Sequence, residues 1–124
     1  MSFEVNKTDT IAIVGASNNP EKYGNKIAAD LKAKGFKIIP VNLKEKEILG
    51  LPVHAHLADI EETIDIVDFV VPPAVSLKVL EEVKKLGLQK VWFQPGSSDE
   101  RVLEFCKQHN LNFIANACLM RQTD

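Results

Sequence analysis

Five short apolar runs, separated by helical or polar segments, set the strongest limit on the fold of this chain. The runs are rich in Val, Ile and Phe and have the length of single β-strands: residues 10–14, 36–41, 65–71, 90–94 and 111–116. Amphipathic helical patterns lie at residues 25–34, 74–87 and 99–110. This alternation predicts an α/β protein of the Rossmann-like class, with a doubly wound, mainly parallel five-stranded sheet in the order 3-2-1-4-5 and helices on both faces.

The connection between the second and third runs has the weakest pattern. Gly50 and Pro52 interrupt residues 44–57, so we predict that this segment is mostly loop. A short helix is expected over residues 57–64, where the sequence reads LADIEETI.

Length and composition exclude several classes of protein. We assign residues 1–124 to a single domain, which is long enough to bury a substantial core. The 15 basic and 17 acidic residues give no basic face for nucleic acid, and no apolar run reaches the roughly 20 residues that cross a bilayer. The N-terminus shows no signal-peptide core, and Cys106 and Cys118 make no disulfide framework. We therefore expect a reduced, cytoplasmic protein that contacts neither nucleic acid nor membrane.

Ligands of doubly wound sheets bind outside the carboxyl ends of the strands, so the residues that follow each run, here called the five tips, are the candidate binding residues. The first tip lacks the dinucleotide fingerprint G-x-G-x-x-G, since Gly15-Ala16-Ser17 has no second glycine. Gly15 still permits a sharp turn, and Ser17 and Asn18 offer hydrogen-bond donors. Lys22 can reach a phosphate, and the helix after Tyr23-Gly24 directs its first N–H groups at an anion. The first tip therefore predicts a phosphate site.

The second and third tips indicate what carries the phosphate. NAD-binding domains usually have an acidic residue after the second strand, whereas this chain has Asn42 followed by Lys44 and Lys46. Lysine suits a phosphorylated ribose, which occurs in coenzyme A (CoA) and in NADP. Pro72-Pro73 ends the third run and forms a stiff apolar wall for an adenine or a pantetheine arm.

Catalytic and metal chemistry find no support in the residue pattern. His54 and His56 lie two positions apart, but no cysteine or carboxylate set completes a metal site, so we predict none. No Ser-His-Asp or Cys-His arrangement is evident, and we assign no catalytic residue.

In their order and spacing, six stretches resemble the stand-alone CoA-binding proteins, which are similar to the N-terminal CoA-binding domain of the succinyl-CoA synthetase α chain. The matching stretches are VGASNNPEKYGNKIAADL, GFKIIPVN, LGLPVHAHLADI, DIVDFVVPP, KVWFQPGS and NFIANACLM. The chain departs from the family where Leu43 replaces a common proline and where Ala117 precedes Cys118 in place of another.

The resemblance implies that CoA lies along the strand tips. The residues that would contact the diphosphate are Gly15, Ala16, Ser17 and Asn18, with Lys22, Tyr23 and Gly24 beside them. Asn42 and Lys44 would lie near the adenosine, and Val71, Pro72 and Pro73 would flank the nucleotide.

These observations favour a non-catalytic or accessory module that binds CoA or an acyl-CoA as its small-molecule ligand. Three alternatives stay open: an NAD(P)-binding redox sensor, a CoA-linked enzyme with Cys118 as nucleophile, and a scaffold whose pocket binds nothing. Each is compatible with a protein partner or with a homo-oligomer.

Overall fold

A computed structural model describes residues 3–124 of the chain. Its strands are β1 (Thr10–Val14), β2 (Lys37–Val41), β3 (Glu47–Ile48), β4 (Leu51–Pro52), β5 (Ile66–Phe69), β6 (Lys90–Phe93) and β7 (Asn112–Ala115). Its helices are α1 (Tyr23–Ala33), α2 (Pro73–Leu86), α3 (Glu100–Gln108) and α4 (Leu119–Gln122), with a 3-10 turn at Leu57–Asp59.

The main sheet has five parallel strands in the order β2-β1-β5-β6-β7, and this confirms the predicted Rossmann-like α/β class. The predicted strand order 3-2-1-4-5 is wrong. Counted along the chain, the five strands lie in the order 2-1-3-4-5, so the third strand pairs with the first and not with the second. The first tip therefore lies between the second and third tips.

Three features explain the corrected order. Pro40 lies within β2 and has no N–H for a second neighbouring strand, so β2 belongs at an edge of the sheet. All four residues of β5 are buried, as an interior strand requires. Asp65 joins β5 to β1, because its Oδ2 accepts from Thr10 N at 2.7 Å while its own N–H donates to Thr10 O at 3.0 Å.

The connection from β2 to β5 contains little helix. Residues 44–57 hold the small β3–β4 hairpin within the segment predicted as loop, and the helix expected over 57–64 is only a 3-10 turn. His54 covers the outer edge of β2, donating from its N–H to Pro40 O at 3.2 Å and accepting from Asn42 N at 3.0 Å. The connection therefore runs along the outer edge of β2 and then leads into β5 at the centre of the sheet.

The sheet separates two apolar layers because successive side chains of a strand point to opposite faces. One layer packs against α2 and α3, and its members include Ala12, Val14, Val67, Phe69, Leu80, Val83, Val91, Phe93, Val102 and Cys106. The other packs against α1 and α4, and its members include Ile11, Ile13, Ile27, Ala28, Leu31, Ile66, Trp92 and Leu119. Helix α4, which no pattern in the sequence predicted, closes this second layer.

None of the helices described within residues 3–124 is long and apolar enough to cross a membrane.

Candidate functional site at the carboxyl edge of the sheet

The first tip is shaped by close backbone contacts. Gly15 has a φ of +102°, and a Cβ at this position would lie 2.4 Å from Val70 O and 2.8 Å from a methyl group of Val71. Any other residue would clash with the chain that leaves β5. The first and third tips are therefore in direct backbone contact, and Val70 N donates to Val14 O at 2.8 Å beside them.

Gly24 brings the start of α1 equally close. A Cβ on Gly24 would lie 2.1 Å from Gly15 O, far inside van der Waals contact. Gly24 thus has the role of the third glycine of the dinucleotide fingerprint, which lets the helix start pack closely against the first strand. Helix α1 has neither a side-chain cap nor an acidic residue at this end, so its first N–H groups and partial positive charge face the carboxyl edge.

Amide side chains fix the loop between Gly15 and α1. Asn25 Nδ2 donates to Ser17 O at 2.9 Å, and Ser17 Oγ accepts from Asn19 N at 3.0 Å. Asn18 Nδ2 lies 2.8 Å from both Glu45 Oε2 and Glu47 O, which belong to the segment after β2. Asn18 therefore joins the first tip to the second, and its amide nitrogen is already engaged.

Asn42 makes a second link between these two tips. Its Nδ2 donates to Ala16 O at 2.9 Å, while its Oδ1 accepts from Lys44 N at 2.7 Å and from Glu45 N at 3.0 Å. Both ends of the amide are occupied by backbone, so Asn42 shapes the tip at which we predict the adenosine. Direct contact of Asn42 with that adenosine stays a prediction.

The cationic and apolar groups predicted around the ligand are solvent-accessible. Lys22 and Lys44 are exposed, one immediately before α1 and the other after β2. Pro72 is exposed beyond the half-buried Val71, and Pro73 occupies the first turn of α2, where proline is favoured. These side chains leave one open edge bordered by three tips.

Beneath this edge lies a buried polar cluster that sequence reasoning missed. Asp68 and Gln94 have no exposed surface, and Gln94 Nε2 donates to Asp68 Oδ1 at 2.7 Å. Gln94 Oε1 accepts from Leu119 N at 3.2 Å, so the amide ties β5 to the start of α4. A charged residue inside an otherwise apolar strand is the signal that could have predicted this cluster.

Asp68 is electrostatically unusual. It lies between Ile13 and Trp92 on neighbouring strands, and this burial raises the pKa of Asp68 to about 7, although the hydrogen bond from Gln94 opposes the rise. Among the described residues, its Oδ2 has no hydrogen-bond partner. The carboxyl group is therefore poised between its neutral and ionised forms near neutral pH.

Tyr23 and Cys118 meet at the margin of the same cluster. The Tyr23 hydroxyl donates to Cys118 Sγ at 2.6 Å and joins the first turn of α1 to the fifth tip. Partial burial, the hydrogen bond to Cys118 and the charge of Asp68 raise the pKa of Tyr23 to about 12, while Arg121 opposes the rise. Tyr23 is thus a neutral hydrogen-bond donor at physiological pH.

Outside the five tips, the described residues offer a groove at the edge of β2 but no cluster of metal ligands. Among residues 3–124, no group of three or more His, Cys, Asp and Glu side chains is arranged to hold a metal ion. A groove of about 280 Å³ lies at the outer edge of β2, lined in part by Phe36, Leu51 and His54. It is bordered by Lys37, which begins β2, and so lies away from the carboxyl edge.

Comparison with known proteins identifies the family to which the chain belongs. The sequence pattern of the family described as CoA binding domain matches residues 9–124, and the chain belongs to that family. This confirms the resemblance drawn from the sequence motifs.

The relatives of this chain include a ligase much longer than the chain and proteins of about its own length. The chain is 36% identical over 118 residues to the ADP-forming acetate–CoA ligase of Methanocaldococcus jannaschii, matching 89% of this chain but only 17% of the ligase. It is 27% identical over 113 residues to the Bacillus subtilis protein YneT, covering 84% of that protein. A conserved hypothetical protein of Pyrococcus furiosus superimposes with a TM-score of 0.89 at 40% identity, over 92% of this chain and 98% of that one.

The contact between Gly24 and Gly15 generates a prediction about stability. Gly24→Ala adds a methyl group 2.1 Å from Gly15 O, and such overpacking costs about 1–3 kcal/mol. Alanine is favoured over glycine inside a helix by about 1 kcal/mol, so the clash should prevail and the free energy of unfolding should fall. Lys26→Ala, on the exposed side of the same helix, should change it by less than about 0.5 kcal/mol. Urea unfolding of both variants checks this, and a stabilised Gly24→Ala protein would contradict the close approach.

Asp68 generates a prediction about pH. Between pH 3.8 and about 7, the folded state retains a proton on Asp68 that the unfolded chain has already released, because the pKa of Asp68 is raised on folding. The wild type should therefore lose stability relative to Asp68→Asn as pH rises through this window, by up to about 1.4 kcal/mol per pH unit, with no further loss above it. Urea unfolding at a series of pH values measures the difference. Parallel pH profiles for the two proteins would show that Asp68 ionises normally.

Proposed function

We propose that this chain is a non-catalytic or accessory module that binds CoA or an acyl-CoA at the carboxyl edge of its sheet. The observation that carries the proposal is the uncapped first turn of α1, held against Gly15 and preceded by the exposed Lys22. Backbone N–H groups and the helix dipole meet there, and the exposed ammonium group of Lys22 can approach the same point, a combination that suits a diphosphate. Membership of the CoA binding domain family supports the same ligand.

The second tip supports CoA over NAD. Where NAD-binding domains usually present a carboxylate to the ribose diol, this chain has Asn42, whose amide oxygen already accepts two backbone N–H groups. Glu45, the next acidic side chain, accepts from Asn18. Lys44 is exposed beside them and can approach the 3′-phosphate of CoA.

The chain spans about a sixth of the acetate–CoA ligase that it matches, so we propose only the binding step and no ligase reaction. The diphosphate would lie at Gly15, Ala16, Ser17 and Asn18 in front of the first turn of α1. The adenosine would lie near Asn42 and Lys44, with Val71, Pro72 and Pro73 along the nucleotide. The structure gives these residues one shared edge, and their contacts with CoA are part of the proposal.

Ligand preference tests the proposal. Isothermal titration calorimetry of the purified protein should show binding of CoA and weaker or no binding of NAD, because Asn42 replaces the usual carboxylate for the ribose diol and Glu45 already accepts from Asn18. NADP serves as the control for recognition of a ribose phosphate alone. NAD affinity equal to or above CoA affinity would contradict the proposal and favour the redox-sensor alternative.

The same titration with one variant locates the diphosphate. Lys22→Ala should weaken CoA binding by about 1.5–3 kcal/mol, or roughly tenfold to 150-fold, as expected for a charge-assisted hydrogen bond. Lys32→Ala is the matched control, since Lys32 is an exposed lysine in the last turn of the same helix. Equal CoA affinities for the two variants would place the diphosphate elsewhere.

A further inference from the structure

We infer that Cys118 is a built thiol-exchange site, which forms a mixed disulfide with the cysteamine end of CoA. The inference rests on the proposed function and adds a redox-regulated, covalent state of the same site. Its basis is a cluster of four side chains from separate elements, formed by Tyr23, Asp68, Gln94 and Cys118.

The backbone around Cys118 is fixed on both sides. Ala117 O accepts from Trp92 Nε1 at 2.8 Å, and Leu119 N donates to Gln94 Oε1 at 3.2 Å. Both partners are side chains almost completely buried beneath the sheet edge. The sulfur therefore has a defined position, unlike a thiol at the end of a mobile tail.

The Cys118 side chain is also partly exposed, and its sulfur contacts the first turn of α1. Its Sγ accepts from the hydroxyl of Tyr23, the residue that begins α1. The proposed diphosphate lies at the same helical turn, so the flexible pantetheine arm starts close to Cys118. A hydroxyl that donates to sulfur stabilises a developing thiolate.

Asp68 supplies an independent sign that the cluster is incomplete. Its Oδ2 is completely buried and has no partner among the described residues. The charge of Asp68 also contributes to the raised pKa of the Tyr23 hydroxyl. An unsatisfied buried oxygen is costly, so this cluster favours a ligand group that brings a hydrogen-bond donor.

Cys106 shows the contrast within the same chain. It is completely buried in the layer beneath α3, and burial raises the pKa of its thiol to about 12. The Cys106 thiol is therefore inert at neutral pH, and it provides a matched control.

The exchange balances without an external oxidant other than CoA disulfide. The Cys118 thiol loses its proton, and the thiolate attacks one sulfur of CoA disulfide. The S–S bond of that disulfide breaks, a new S–S bond joins Cys118 to one CoA, and the other CoA leaves as a thiolate that takes up a proton. Excess reduced thiol reverses the step.

Intact-mass spectrometry after incubation with CoA disulfide tests the inference. The wild type and Cys106→Ala should each gain one CoA that reductant removes, and Cys118→Ser should gain none. Glutathione disulfide at the same concentration should react at least about tenfold more slowly, because binding of the nucleotide raises the effective concentration of the CoA disulfide. Fragmentation of the wild-type adduct should place the CoA on Cys118, which keeps the test valid even if Cys118→Ser fails to fold.

Two results would overturn the inference. No adduct on a wild-type protein that binds reduced CoA by calorimetry would leave the proposed function standing and return Cys118 to a packing role. Equal rates with CoA disulfide and glutathione disulfide would show an ordinary surface thiol. Absence of binding by both reduced CoA and CoA disulfide would instead refute the proposed function, and the inference with it.

Discussion

The candidate site depends on the contact between the backbones of Gly15 and Gly24, where no side chain fits. The carbonyl of Gly15 lies where a Cβ of Gly24 would be, and the Cα of Gly15 is pressed against Val70 in the same way. The ends of β1 and β5 and the start of α1 therefore meet at van der Waals distance. The direction of α1, and with it the direction of its free N–H groups, follows from this contact.

Hydrogen bonds of side-chain amides extend that constraint along the edge. Asn42 and Asn18 join the first tip to the second, and Gln94 joins the centre of the sheet to the fifth. Each amide satisfies a backbone group that a loop at a sheet edge would otherwise leave to water. Asp68 is the exception, because one of its oxygens is buried and unpaired in residues 3–124. Titratable groups with pKa values shifted by burial are concentrated at functional sites.

The sequence predicts the fold class because the pattern of apolar residues follows directly from burial. The strand order does not follow from that pattern, because it depends on which strand pairs with β1, and Pro40 is a signal only for the edge position of β2. The β3–β4 hairpin and α4 are too short for periodicity to reveal. Gly15 and Lys22 were recognisable from local chemistry, whereas the cluster of Asp68, Gln94 and Tyr23 brings together residues that are distant in sequence.

The central claim is that the first turn of α1 holds the diphosphate of CoA, and backbone NMR tests it most directly. Titration of isotopically labelled protein with CoA should shift the amide signals of Ser17, Tyr23 and Gly24 more than those elsewhere, because these N–H groups lie at the proposed contact. Adenosine without its diphosphate should leave them nearly unchanged. Unmoved signals at this turn on saturation with CoA, with shifts confined to the groove around Phe36 and His54, would contradict the account.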